Sequence, residues 1–172
     1  MMLPRALAAV LLVAAALTVG ACAELGGLGA LVQPPRFEQD EAQPAEIRLV
    51  SPSLSRPLGG ASVRIWTKVT NPNAFGFTLG TLKGTLFLES SRAAAADLPL
   101  GLPLGAGQET VIPLDLSISF SDLPELASVI RRAAGGDPIA YRLDGSIGVN
   151  AGRLGQPVFG PMTLLRGNVR KR

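Results

Sequence analysis

The clearest structural signal in this chain lies at residues 61–73, which read ASVRIWTKVTNPN. Alternate residues of this stretch are apolar or small, namely Val63, Ile65, Thr67 and Val69. The residues between them are polar or charged apart from Trp66, and this period of two predicts a β-strand with one buried and one wet face. The strand should end at Asn71-Pro72-Asn73, because proline donates no hydrogen bond to a β-ladder and asparagine tolerates turn conformations.

The same alternation recurs further along the chain. It predicts strands at residues 82–89, 110–120 and 139–149, and a last strand within 157–169. The segment 93–107 is rich in glycine and proline, which predicts turns around one short edge strand.

One segment changes to the period of a helix. Residues 122–134 carry apolar side chains at helical spacing, with Asp122 as the predicted N-cap and Gly135-Gly136 as the end. Many short alternating strands and one short α-helix predict an all-β fold. We expect an antiparallel β-sandwich of the fibronectin type III or immunoglobulin kind, in which two sheets stack on their dry faces.

Composition argues against most enzyme classes. The chain has no histidine and one cysteine, which excludes His-based triads, intramolecular disulfides and multi-cysteine metal sites. Asp115 and Asp144 lie in mid-strand on outward faces, and no glycine loop follows a strand in the phosphate-binding pattern. We therefore predict a protein that is not an enzyme and has no cofactor, no metal and no catalytic residues.

The N-terminus has the pattern of an export signal. An apolar run at residues 6–19 follows Arg5, and Val19-Gly20-Ala21-Cys22 resembles the lipobox of bacterial lipoproteins. That resemblance implies a signal peptide at 1–21, removed by cleavage before Cys22, and acyl chains such as palmitate attached at that cysteine. The alternative is an uncleaved N-terminal helix in which Cys22 is only a small apolar residue.

Lipidation at Cys22 would attach the protein to a membrane and place it in the cell envelope. Ala23 follows the lipid site, where lipoproteins retained in the inner membrane often carry aspartate. The resemblance therefore favours the outer membrane, facing the periplasm, if the organism has two membranes. Residues 22–45 are predicted to be the lipidated cysteine and a flexible tether, although 36–38 could be a short first strand.

The excess of positive charge collects at the C-terminus. The chain has 16 Lys+Arg against 13 Asp+Glu. Four of the basic residues are Arg166, Arg170, Lys171 and Arg172. A basic tail at 167–172 rather than a basic face argues against nucleic acid as a partner. Such a tail could contact anionic headgroups or simply be solvated.

The order of these signals resembles the late embryogenesis abundant type 2 family, also called the water-stress and hypersensitive response (WHy) domain. The marks of the resemblance are Asn71-Pro72-Asn73 after a β-rich strand, the later capped helix, and the strand that contains Tyr141-Arg142-Leu143-Asp144-Gly145. It covers residues 46–166. It implies a fibronectin-like domain with one added helix, non-enzymatic and linked to desiccation and other stress.

Two candidate sites each have a functional and a structural interpretation. Asn71 and Asn73 could form a binding turn or a turn whose amides satisfy the backbone; Trp66 is a candidate surface contact or one member of a cross-strand pair. The expected function is a stabilising or interaction module for client proteins or envelope partners. The alternative is an accessory lipoprotein that binds or transfers a lipid or apolar ligand, which would need an apolar cavity between the sheets.

Overall fold

The structure is a computed structural model that describes residues 31–54, 57–120 and 126–171. Within these residues the chain forms eight strands and one short α-helix, and a 3-10 turn at Gly152–Leu154 lies between the last two strands. The elements are β1 (Arg36–Gln39), β2 (Ala45–Val50), β3 (Gly60–Thr70), β4 (Phe77–Leu88), β5 (Ser91–Leu104), β6 (Glu109–Ser119), α1 (Ala127–Gly135), β7 (Ile139–Asn150) and β8 (Val158–Lys171).

The strands form one continuous sheet in the order β1-β3-β2-β8-β7-β4-β5, with β6 on the other edge of β3. β1 and β2 pair with different halves of β3, while β6 pairs with its whole length. All pairs are antiparallel except β2 and β8, which run parallel where Ala45–Ile47 meets Val169–Lys171. The predicted all-β fold with one short helix is confirmed. The two expected sheets are joined by this short parallel pair.

The core lies between the two halves of this sheet. Strands β3 and β7 alternate between buried and partly exposed residues along most of their length, as the sequence predicts. Val63 and Ile65 from one half and Leu143 and Ile147 from the other belong to one cluster of buried apolar residues. Because both halves bury one face in the same cluster, the sheet folds over onto itself.

The segment predicted as turns around a short strand is instead a long strand. β5 runs for 14 residues and pairs only with β4, so it is an edge of the sheet. Pro99 and Pro103 fit there because an edge strand needs hydrogen bonds on one side only. Two register shifts in the β4–β5 ladder absorb the irregular backbone.

Both ends of the domain are more ordered than the sequence indicates. β1 lies inside the segment predicted as a tether and pairs with β3, so the short strand left open at 36–38 exists. β8 continues to Lys171, so residues 167–171 are the end of a strand rather than a tail. Val169 is fully buried between β2 and β7, and this apolar anchor holds the basic residues around it in the sheet.

Helix α1 connects the two halves of the sheet. Gly136 ends it in a left-handed conformation, with its N–H bonded to the carbonyl of Ala133, as predicted for the glycine pair. Leu126, Val129 and Ala133 face the core. The predicted N-cap, Asp122, lies outside the described residues. Each helix in the described part of the chain is too short or too polar to cross a bilayer.

Candidate functional site

The Asn-Pro-Asn turn forms a buried cluster of hydrogen bonds at the end of β3. Asn71 has no exposed surface, and its Nδ2 donates to the carbonyl oxygens of Phe75 and Gly105, both at 2.8 Å. The same nitrogen lies 3.4 Å from the carbonyl oxygen of Leu104. The Asn71 backbone N–H donates to the carbonyl of Gln108 at 2.9 Å. One side chain thus ties β3 to the β5–β6 turn.

Asn73 extends this hydrogen-bond cluster to the segment that precedes β1. Its backbone N–H and Nδ2 both donate to Oδ1 of Asn71, at 2.9 and 3.0 Å. Its Oδ1 accepts from the backbone N–H of Gln33 at 2.8 Å, and its Nδ2 donates to the carbonyl of Gln33 at 3.0 Å. The chain that leads into β1 is therefore bonded to the far end of β3.

These contacts favour the structural interpretation of the turn. Both amides spend their hydrogen bonds on backbone groups or on each other, and no buried side-chain nitrogen or oxygen in the described ranges lacks a partner. These are the contacts of a structural turn, and a role of Asn71 or Asn73 in binding stays a prediction. Sequence reasoning missed Gln33 and Gln108, because partners so far along the chain leave no local pattern.

Trp66 lies half-buried on the outer face of β3. Its cross-strand neighbour is Pro113 of β6, and the Arg64 guanidinium carbon lies 5.9 Å from the centre of its ring. Arg64 is itself held by Asp115 through two hydrogen bonds of 2.7 and 3.0 Å. The ring therefore has the neighbours of a cross-strand pair. Its role as a surface contact stays a prediction.

The acidic residues considered for catalysis are engaged in pairs. Asp115 accepts from Arg64, and Asp144 accepts from Arg142 Nε at 2.8 Å and from Thr163 Oγ1 at 2.7 Å. Nζ of Lys68 lies 3.7 Å from Oε2 of Glu38 and 3.9 Å from Oε1 of Glu109. Over the residues that the structure describes, no three histidine, cysteine or acidic side chains come together as a metal site would need.

Tyr141 is a core residue with one polar contact. Its side chain is buried, and its hydroxyl donates to Oε1 of Gln39 on β1 at 2.9 Å. Burial raises the pKa of the Tyr141 phenol to about 12, so the ring is neutral at physiological pH. Gly167 lies opposite Tyr141 on β8, and a Cβ there would overlap Oε1 of Gln39 and lie 3.0 Å from the Tyr141 ring. The glycine makes room for the hydrogen bond between Tyr141 and Gln39.

The predicted lipidation site lies outside the described residues. This holds for the signal peptide 1–21, for Val19, Gly20 and Ala21 of the lipobox, and for Cys22. Lipidation, the anchor and the envelope location therefore stay predictions.

Two solved structures resemble this fold at low identity. A crystal structure of a protein from Archaeoglobus fulgidus matches with 15% identity and a TM-score of 0.43, covering 68% of this chain and 90% of that one. A solution structure of a protein from Arabidopsis thaliana matches with 15% identity and a TM-score of 0.49, covering 82% of this chain and 80% of that one. No curated protein matches the chain.

A family model gives the more specific result. The model described as late embryogenesis abundant protein, LEA_2, matches residues 67–161, which is more than half of the chain. The matched range starts within β3 and ends within β8, and it includes the Asn-Pro-Asn turn and Tyr141. The family consists of stress- and desiccation-related domains that are generally non-enzymatic. On this match, the chain belongs to the late embryogenesis abundant type 2 family.

Proposed function

We propose that this protein is a lipid-anchored envelope protein whose late embryogenesis abundant domain protects client proteins or envelope partners during water loss. The observation that carries the proposal is the family match over residues 67–161. The lipobox-like sequence that ends at Cys22 supports the anchor. The domain would then act as a folded module held at the bilayer.

The packing of the core favours this function over the carriage of a lipid. A cavity wide enough for an acyl chain would leave accessible surface on the side chains that line it. Ile65, Leu79, Leu82, Leu86 and Leu143 come from both halves of the sheet, and each has 0% of its surface exposed. Depressions of 340 to 460 Å³ do occur, but they are open to solvent rather than enclosed.

The outer faces support broad, weak contact with clients rather than one charged partner. Arg64 pairs with Asp115, Lys83 lies 4.0 Å from Asp97, and Arg142 pairs with Asp144. Each of these pairs is exposed to solvent and therefore contributes little to stability. Together they leave hydrated faces without a large field of one sign, which suits contact with proteins of varied charge.

A drying experiment tests protection directly. The chain from residue 22 onward, with Cys22→Ala, is dried together with a labile enzyme, and enzyme activity is measured after rehydration. We expect a higher recovered activity than with the same mass of albumin, because a stably folded hydrated surface keeps unfolded enzyme molecules apart. Recovery no better than with albumin would count against the protective role. The range includes β1, since that strand is part of the fold.

The anchor is tested by Cys22→Ala in the full-length protein. We expect the variant to lose its attached acyl chains and to move from the membrane fraction to the soluble fraction, because two or three acyl chains are enough for stable anchoring. Mass spectrometry of the mature protein and membrane fractionation measure the two effects. A variant that stays at the membrane with unchanged processing would contradict lipidation.

A further inference from the structure

A row of side chains crosses four neighbouring strands on the outer face of one half of the sheet. Phe87 of β4 lies directly opposite Arg92 of β5 on one side and Arg142 of β7 on the other. Arg142 in turn lies directly opposite Arg166 of β8. We call these four residues the arginine row. The three arginines are exposed and the phenylalanine is half-buried. Because neighbouring strands lie about 4.8 Å apart, the row is about 14 Å long.

A β-bulge places Arg92 on this face. In the β4–β5 ladder, Leu86 pairs with Ala94, and the next residue, Phe87, pairs with Arg92 rather than with Ala93. Ala93 and Ala94 are both buried, so Ala93 is the extra residue. Strict alternation from the buried Ala94 would place Arg92 on the buried face, and the bulge turns it outward instead. Bulges often re-aim a side chain next to a functional site.

The guanidinium groups of the row keep most of their donors available. Arg142 donates through Nε to Asp144 at 2.8 Å, and its guanidinium carbon lies 4.7 Å from the centre of the Phe87 ring. These two contacts fix the group and leave its terminal nitrogens for another acceptor. Arg92 and Arg166 make no hydrogen bond or ion pair with any residue that the structure describes.

The row is a local exception to the balanced pairing of charge on the outer faces. Arg142 and Arg166 lie directly opposite each other, where like charges destabilise a sheet. Within the described part of the chain, Asp144 is the one carboxylate in contact with the row, so two of its three positive charges have no acid beside them. An anion bound there would relieve the repulsion and accept hydrogen bonds from the available donors.

The spacing of the cations selects the occupant. Arg142 and Arg166 are one strand apart, so they can hold a single phosphate group between them. Arg92 is two strands from Arg142, about 10 Å away on the other side of Phe87, so it reaches a second phosphate. Cations in a line with an aromatic ring between them match the phosphates of a bilayer surface, where aromatic rings favour the headgroup level.

We propose that the arginine row binds the phosphate groups of an anionic bilayer, with Arg142 and Arg166 on one headgroup phosphate, Arg92 on a second, and Phe87 at the level of the headgroups. This contact goes beyond the proposed function, because it requires neither acyl chains at Cys22 nor protection of a client protein. It lays the outer face of β5, β4, β7 and β8 against the lipid.

Vesicle co-sedimentation tests the contact without the anchor. The protein is the chain from residue 22 onward with Cys22→Ala, which contains every described strand, and the vesicles contain phosphatidylglycerol and phosphatidylcholine. We expect binding that weakens at high salt and that is lower on phosphatidylcholine alone. Arg166→Gln should lower the partition coefficient about fivefold, and Arg92→Gln added to it about thirtyfold in all, because each cation at an anionic surface contributes separately.

Arg153→Gln is the matched control for Arg166→Gln. It removes the same charge from an exposed residue in the 3-10 turn that follows β7. Arg142 lies near the start of β7, about 27 Å along the strand from its end, so the control should change the partition coefficient less than about twofold. The double variant of the row should melt no lower than the parent, because it removes like charges that face each other.

The proposal is overturned if the parent does not bind anionic vesicles, if it binds neutral vesicles equally well, or if the double variant binds as well as the parent. It is also overturned if Arg153→Gln has the effect of Arg166→Gln. Competition at matched ionic strength separates the sources of phosphate. Displacement from the vesicles by inorganic phosphate or by a DNA duplex would assign the row to a free phosphate or to nucleic acid, and would exclude the bilayer as its occupant.

Discussion

Gly145→Ala is expected to lower the free energy of unfolding by about 3 kcal/mol. Gly145 on β7 lies directly opposite Gly84 on β4. A Cβ at Gly145 would overlap the carbonyl oxygen of Lys83 and lie 2.8 Å from the Cα of Gly84. These are backbone atoms, so no side chain can rotate away, and the two central strands would have to separate where they pair.

A third strand makes this close approach harder to relax. Gly160 on β8 has a φ of 114°, and a Cβ there would lie 2.6 Å from the carbonyl oxygen of Gly145. Three strands therefore meet through glycine backbones, and a shift of β7 away from β4 is resisted by β8.

Chemical denaturation of the parent and the variant measures the loss. Gly148→Ala is the matched control on the same strand, because the nearest atom to a Cβ there is 3.9 Å away, an ordinary van der Waals distance. We expect the control to change the free energy of unfolding by less than about 1 kcal/mol. Equal effects of the two substitutions would mean that the close backbone contact does not limit stability.

Asn71→Asp is expected to cost about 4 kcal/mol, although the two side chains have nearly the same shape. Nδ2 of Asn71 donates to two carbonyl oxygens at 2.8 Å. An aspartate places a carboxylate oxygen against those carbonyls, so two hydrogen bonds are replaced by repulsion and a charge is buried without a partner. The loss would fall on the junction between β3 and the β5–β6 turn.

Asn168→Asp makes the same chemical change on the surface, since Asn168 is exposed on β8. It should alter stability by less than about 0.5 kcal/mol. Thermal or denaturant unfolding of both variants separates the effect of burial from the effect of the added charge. If Asn71→Asp were as stable as Asn168→Asp, the buried hydrogen-bond cluster would not require an amide side chain at position 71.

The elements that could be predicted are those with a local rhythm. The alternation predicts β3, β6 and β7 to within one residue at each end, because it is visible between neighbouring residues. For β5 the sequence predicts only a short edge strand among turns, because its prolines and glycines resemble turn residues. The edge position accommodates them along a strand of 14 residues. β1 has four residues, too few for a pattern, and exists because β3 offers it an edge.

The turn motif shows the same division. Asn71-Pro72-Asn73 predicts a turn because proline and asparagine have strong conformational preferences of their own. That the amides are buried, and that they bond Gln33 and Gln108, follows from segments brought together by the sheet. The exposure of Leu54 and Leu58 likewise follows from the packing of the whole fold, since a leucine in the sequence carries no mark of which side of the fold it will face.

Neighbouring residues are thus enough to specify the β class, the short helix after β6 and the principal strands, because the backbone conformation of each residue is largely a local property. Packing of the whole chain determines the parallel junction of β2 with β8, the glycine contact of three strands and the exposure of Leu54 and Leu58. Distant segments choose each other through buried area and shared hydrogen bonds, and these exist only once the sheet has folded over.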